Sequence, residues 1–249
     1  MGHGFESDDR IEVDATPEQV WAAIATGPGH DSWFMGANVV EPGVGGQVSS
    51  DFAGGAIPAA TVTAWEPGRH LGYRASGPDG RFLASEYLIE ARDGGGAVLR
   101  VVTSGFLPGD DWQGEYEAMR AGSCLFRSTL ACYLDHFAGR VARPLTVFGP
   151  TVTDWAGAWK QLDDALGLGG LDRDTPVRFT LGGRSVEGVL YGANEQVRGI
   201  RTPQAMYRFV QAFDPHGTGS PMLAMHHVFD PTLDPGEAAW NAWLTDVLS

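Results

Sequence analysis

Positive charge is scarce in this sequence. Its 17 basic residues stand against 31 acidic ones, a formal net charge of −14, and Lys160 is the single lysine. A nucleic-acid binder gathers Lys and Arg into a stripe that neutralises phosphates, and no such stripe is present. An anionic membrane surface would repel the chain for the same reason. Cysteine is nearly absent too. Cys124 and Cys132 lie in one helical stretch, separated by about 12 Å of helix axis, too far for a disulfide. No apolar run approaches the roughly 20 residues that a membrane span needs. Residues 1–9 are polar and acidic, unlike a secretory signal, and reduced thiols suit the cytosol. The expectation is a cytoplasmic protein without membrane insertion.

Several catalytic signatures are also missing. There is no G-x-x-x-x-G-K-[ST] or G-x-G-x-x-G to cradle phosphates, no G-x-S-x-G elbow and no H-E-x-x-H. His226 and His227 are adjacent, and on a strand they point to opposite faces, where they do not chelate one metal. No cofactor and no metal is expected. Cys124 and Cys132 read as buried, inert thiols, and Asp110-Asp111 and Asp163-Asp164 as solvated charge.

What is present is a globular composition: 249 residues, 43% of them hydrophobic, with 35 glycines and 15 prolines spread along the chain. That suits many short strands joined by tight turns, in one large or two ordinary domains. A short strand over Arg10–Asp14 runs into Thr16-Pro17-Glu18-Gln19, the cap, first-position proline and capping-box glutamine of a helix. A second helical turn is expected at Ser32-Trp33-Phe34. Strands follow at Gly46–Phe52, Ala59–Trp65, His70–Ala75, Phe82–Ala91 and Ala97–Phe106, divided by Glu66-Pro67-Gly68, Pro78-Asp79-Gly80 and Asp93-Gly94-Gly95-Gly96. Short turns between consecutive strands make an antiparallel meander. From Asp111 to about Phe137, the spacing of Met119, Phe126, Leu130, Tyr133 and Phe137 predicts a long helix.

Arg140–Pro150 holds two prolines and no clear period, which puts a boundary there, between domains at 5–139 and 151–249. The second half reads as a smaller α+β unit: a helix over Asp154–Leu166, short strands, and a last helix opened by Asp234-Pro235-Gly236-Glu237. Helix, strands and closing helix recur in that order, so the second half is a candidate degenerate repeat of the first.

In combination and in order, four segments resemble the SRPBCC superfamily. They are Ile11–Trp21, Ser32-Trp33-Phe34, Glu41-Pro42-Gly43-Val44-Gly45-Gly46 and Thr103-Ser104-Gly105-Phe106. Within the superfamily they are most similar to the group named for activators of the heat-shock-protein-90 ATPase. The resemblance implies an α+β helix-grip fold (START- or Bet v 1-like), in which a curved antiparallel sheet closes over a long C-terminal helix. It also implies a cavity between sheet and helix that takes a hydrophobic or amphiphilic small molecule. The residues expected to line it are Trp33, Phe34, Phe52, Trp65, Tyr73, Ser85, Tyr87, Val101, Thr103, Phe126 and Leu130. Their character is apolar with sparse hydroxyls, which suits orienting a ligand. Glu86, Arg74 and Arg100 are the nearest titratable residues in sequence, and alternation turns Glu86 away from Tyr87. Since the superfamily holds carriers, resistance proteins, polyketide cyclases and chaperone activators, three readings stay open: a binding protein, a cyclase- or dehydratase-like enzyme, and a protein-interaction role. An inward titratable residue favours the enzyme, a dry apolar pocket favours carriage, and a solid core favours interaction.

Overall fold

A computed structural model describes every residue except 1, 53, 54, 111, 215 and 216, and every side chain among the rest except those of 55–57 and 118. Asp111, expected at the start of the long helix, lies outside the described residues. The chain divides into two compact units, Met1–Val141 and Ala142–Ser249, each an antiparallel sheet with its own helices.

The first unit runs β1 (His3–Val13), α1 (Pro17–Ala25), α2 (Gly27–His30), β2 (Ala37–Val40), β3 (Gln47–Phe52), β4 (Gly55–Glu66), β5 (His70–Ser76), β6 (Phe82–Ala91), β7 (Ala97–Leu107) and α3 (Trp112–His136). Its strands lie in the order β1-β7-β6-β5-β4-β3-β2. β1 is twice as long as its apolar signal suggests. Ile11 and Val13 carry that signal, but the pairing with β7 continues back to His3 opposite Leu107. The capping box holds: Thr16 Oγ1 accepts from the Gln19 amide at 3.3 Å, and Gln19 Oε1 accepts from the Thr16 amide at 2.9 Å. Such a cap contributes about 1 kcal/mol. The second helix comes earlier than expected. It is α2, capped by Thr26, and Ser32-Trp33-Phe34 sits in the turn after it.

α3 runs parallel to β1. The ring of His3 stacks on Trp112 at 3.6 Å, and at the other end the Asp14 amide donates to Asp135 Oδ1 at 3.1 Å. The two halves of this helix pack differently. Leu125, Leu130, Tyr133 and Leu134 are buried, whereas no described residue from 112 to 124 is. Cys132 is buried in the packed half. Cys124 is exposed, contrary to its apolar sequence neighbourhood, because it falls on the solvent side of the helix.

The second unit runs β8 (Arg143–Val152), α4 (Trp155–Ala165), β9 (Pro176–Leu181), β10 (Arg184–Asn194), β11 (Val197–Arg201), β12 (Ala205–Gln211), β13 (Ser220–Val228) and α5 (Glu237–Val247). Its strand order, β8-β13-β12-β11-β10-β9, repeats the wiring of the first unit with one strand fewer. In both, the first strand pairs with the last and the rest form a meander. Most of the stretch read as a boundary is therefore β8; Pro144 and Pro150 are tolerated because β8 is an edge strand. Trp240 and Leu244 of α5 are fully buried among Leu162, Phe179, Tyr207 and Phe209, a filled core.

Two local readings change. Asp234 does not cap α5. Its Oδ1 accepts from the Gly236 amide at 2.9 Å and its Oδ2 meets Arg143 at 2.7 Å, while Gly236, at φ 85°, takes the cap position that its missing Cβ permits. Nor is Asp163 merely solvated. It grips the buried Arg198 with two bonds of 2.8 and 3.0 Å, and that guanidinium covers the Trp159 ring at 4.6 Å.

Candidate ligand-binding hollow of the first unit

Pairing register sets which side chains share the helix-facing side of the first sheet. Tyr73 lies opposite Ser85, and Ser85 opposite Thr103; Leu71 lies opposite Tyr87, Tyr87 opposite Val101 and Val101 opposite Asp9. Burial along these strands is graded. Val13, Val62, Leu71, Ile89, Ala97 and Leu99 are buried at one end. Toward the other end Tyr73, Ala75, Ser85, Thr103, Asp9 and Phe5 keep accessible surface, and Leu83 reaches 36%. A face pressed against a helix would show no such gradient. The sheet and the packed half of α3 close one end, and the accessible end beside the loosely packed half is the candidate hollow.

Polar groups in this hollow are few. The Tyr73 and Tyr87 hydroxyls share a hydrogen bond of 3.1 Å, and Ser85 lies opposite Tyr73 on the neighbouring strand. Burial pushes the Tyr73 phenol above its ordinary pKa. It pushes Tyr87 well above it, with the adjacent Tyr73 oxygen adding to the effect. Phenols held this way stay protonated through the physiological range, so they act as hydrogen-bond donors and not as bases. Two phenols carry two protons and one is used between them, which leaves one for an acceptor.

The opposite side carries charge. Asp8 and Asp9 are neighbours on β1, so their side chains go to opposite faces. Asp8 pairs outward with Arg100 through bonds of 2.8 and 2.5 Å. Asp9 turns to the helix side, where its Oδ2 meets Arg127 of α3 at 3.0 Å. Sequence reasoning missed both Asp9 and Arg127. The alternation Phe5-x-Ser7-x-Asp9-x-Ile11-x-Val13 was the available signal, hidden by the acidic composition around it. The titratable residues nearest in sequence face the other way: Arg74 covers the Phe82 ring at 3.7 Å and Glu86 meets His70 at 3.4 Å.

Aromatic rings finish the walls. Phe34 meets Phe126 at 4.5 Å between ring centroids, above the buried Leu130. At the open end Phe5 meets Tyr116 at 5.2 Å and lies across Gly105, where an added Cβ would come within 2.3 Å of the ring. The other aromatic candidates sit apart from the hydroxyls. Trp33 is buried with its Nε1 donating to the Ala23 carbonyl at 3.0 Å; Trp65 stands edge-on to Trp21 at 5.0 Å; Phe52, half-buried, ends β3. Beside Trp33 lies His30, whose pKa burial pulls down to about 4. A buried polar group also ties the edge strand: Asn38 accepts from Ser50 at 2.5 Å and donates to Asp31 at 3.0 Å.

The second unit differs. A cleft of about 370 Å³ lies at its rim, with Leu181, Ala205, Tyr207 and Val228 below and Arg184, Glu187 and Asp234 around it. Burial, with Asp234 nearby, pushes Tyr207 up to about 12. His226 and His227 take opposite faces of β13. The His226 ring packs on Trp240 at 4.1 Å, and His227 Nε2 lies 2.7 Å from Arg208.

Residues 5–141 match the model of the family described as "Polyketide cyclase / dehydrase and lipid transport". No curated protein matches the chain. Solved structures similar to it include the di-domain ARO/CYC BexL from the BE-7585A biosynthetic pathway, at 13% identity and a TM-score of 0.47, covering 96% of this chain and 92% of that one. DynU16, a putative protein in the dynemicin biosynthetic locus, is similar at 17% identity and 0.46, covering 98% and 95%. The Aha1 dimer from Colwellia psychrerythraea is similar at 20% identity and 0.43, covering 53% and 96%. Among the described residues, no helix is long and apolar enough to cross a membrane.

Proposed function

The chain belongs to the polyketide cyclase/dehydrase and lipid transport family of the SRPBCC superfamily, and on that premise we propose that its first unit binds a hydrophobic or amphiphilic small molecule between the sheet and α3. The observation that supports this most is the Tyr87–Tyr73 hydroxyl pair, with Ser85 beside it, on a largely apolar wall that is partly accessible. A solid core gains nothing from phenols kept out of bulk water with a proton to spare, whereas a bound carbonyl or hydroxyl oxygen gains an oriented donor. The role is carriage, sequestration or resistance.

Native mass spectrometry of protein purified gently from its own host tests the reading. A reproducible mass excess, lost when Ser85→Trp fills the hollow, is the expected result. A bare mass, with no thermal shift from a panel of lipids and aromatic polyketides, would move the role to protein interaction.

A second reading, a cyclase- or dehydratase-like enzyme using the same hollow, is favoured by one observation: Asp9, a titratable group, and the fixed cation Arg127 lie on the side facing the phenols. An anionic carboxylate is suited to take a proton, and a protonated phenol to polarise a carbonyl. If this reading holds, an identified ligand will differ from its biosynthetic precursor by a cyclisation or loss of water, and Asp9→Asn will leave the precursor unchanged.

A further inference from the structure

The arginine–carboxylate pairs among the described residues are made in more than one way. Arg100 grips Asp8 with two bonds, and Arg198 grips Asp163 with two. Arg127 meets Asp9 through one contact, Nη1 to Oδ2 at 3.0 Å, as Arg143 meets Asp234 and Arg178 meets Glu187. Guanidinium and carboxylate match fork to fork, and the two-bond form is the stronger one. The side chains of Arg127 and Asp9 remain 25% and 32% exposed, at the side of the hollow. Register puts Asp9 one strand from Val101 and two from Tyr87. Arg127 therefore brings a permanent positive charge, with N–H donors, to the edge of a wall of apolar side chains and hydroxyls.

We propose that Arg127 reads an acidic group on the ligand, so that the hollow takes an amphiphile with an apolar body and a carboxylate, sulfonate or acidic enol. Asp9 is a positioning residue. It holds the guanidinium in place when the hollow is empty and yields part of it to the incoming anion. The net charge of −14 repels such a ligand at long range, and a local cation next to the apolar wall is what lets an acid compete with its neutral analogue. The inference rests on the binding reading above and deepens it.

Two fluorescent probes that differ by one sulfonate separate the ideas: 1-anilinonaphthalene-8-sulfonate and the neutral N-phenyl-1-naphthylamine. Both are titrated against the full chain and against Arg127→Gln, Arg127→Lys, Asp9→Asn and the hollow-filling Ser85→Trp. The expected result is about tenfold weaker binding of the sulfonate by Arg127→Gln, with the neutral probe within about twofold. Arg127→Lys recovers most of the loss, and Asp9→Asn tightens the sulfonate. If both probes respond to Ser85→Trp but Arg127→Gln moves them equally or not at all, the role of Arg127 is overturned and the binding reading stands. If neither probe binds the native chain, both fall.

Discussion

The two units share one wiring and end differently. In each, the first strand pairs with the last, a meander completes the sheet, and a closing helix follows. In the second unit the closing helix has 11 residues, and its Trp240 and Leu244 are fully buried against the sheet. In the first it has 25 residues, and the half over the open end of the sheet buries none of its described side chains. A helix-over-sheet arrangement thus does not by itself dictate a pocket. Large aromatics on a short helix make a core, while a long helix carrying Arg127, Phe126 and Tyr116 beside hydroxyl-bearing strands leaves their side chains partly accessible.

The comparison breaks most visibly at Trp240. Trp240→Ala removes the centre of a filled core and should cost about 3–5 kcal/mol in urea unfolding. Phe126→Ala, whose ring borders space, should cost well under half of that while changing ligand affinity. Equal losses would mean the first unit is as solid as the second.

Acid acts on both units through their packed histidines. Burial lowers His30 to about 4, and burial together with the Arg208 charge lowers His226 to about 3. His226 Nδ1 also accepts from the Arg208 amide at 3.1 Å, a bond that a second ring proton would break. The folded pKa lies below the unfolded value of about 6.5 in each case, so the unfolded chain binds more protons between them. Stability is then full above pH 6.5 and falls as the pH drops, by about 3 kcal/mol per histidine at pH 4. His30→Asn and His226→Asn should each flatten a pH–stability profile measured by denaturant unfolding. Ligand binding should stay level between pH 7 and 9, because both hollow phenols remain protonated there.

Smaller effects sharpen the picture. Tyr73→Phe and Tyr87→Phe each remove a hydroxyl that the fold does not need. Both should change stability by about 1 kcal/mol or less and weaken a carbonyl-bearing ligand about fivefold in titration calorimetry. The smallest effect is chemical: in native protein Cys124 should react with a thiol reagent at once, and Cys132 only on unfolding.

Much of this architecture is legible in the residues, because turns such as Asp93-Gly94-Gly95-Gly96 and the cap at Thr16 act locally. Alternation on β5 to β7 also determines which side chains share a face. What escapes is set by contacts distant in sequence. β2 is four residues long and is held by Asn38 reaching Ser50 and Asp31. β8 contains two prolines that only an edge position excuses. The start of β1 reads as a polar tail until β7 pairs with it, and with it went Asp9 and the partner that makes Arg127 conspicuous. A charged residue on a half-buried strand looks like surface in any local window.

Xenon under pressure in crystals of the native chain probes the contrast between hollow and core most directly, since it settles in apolar space and not in filled cores. The account predicts xenon against Val101, Tyr87 and Phe126 in the first unit and none around Trp240 in the second. Xenon absent from the first unit, or present around Trp240, would contradict it.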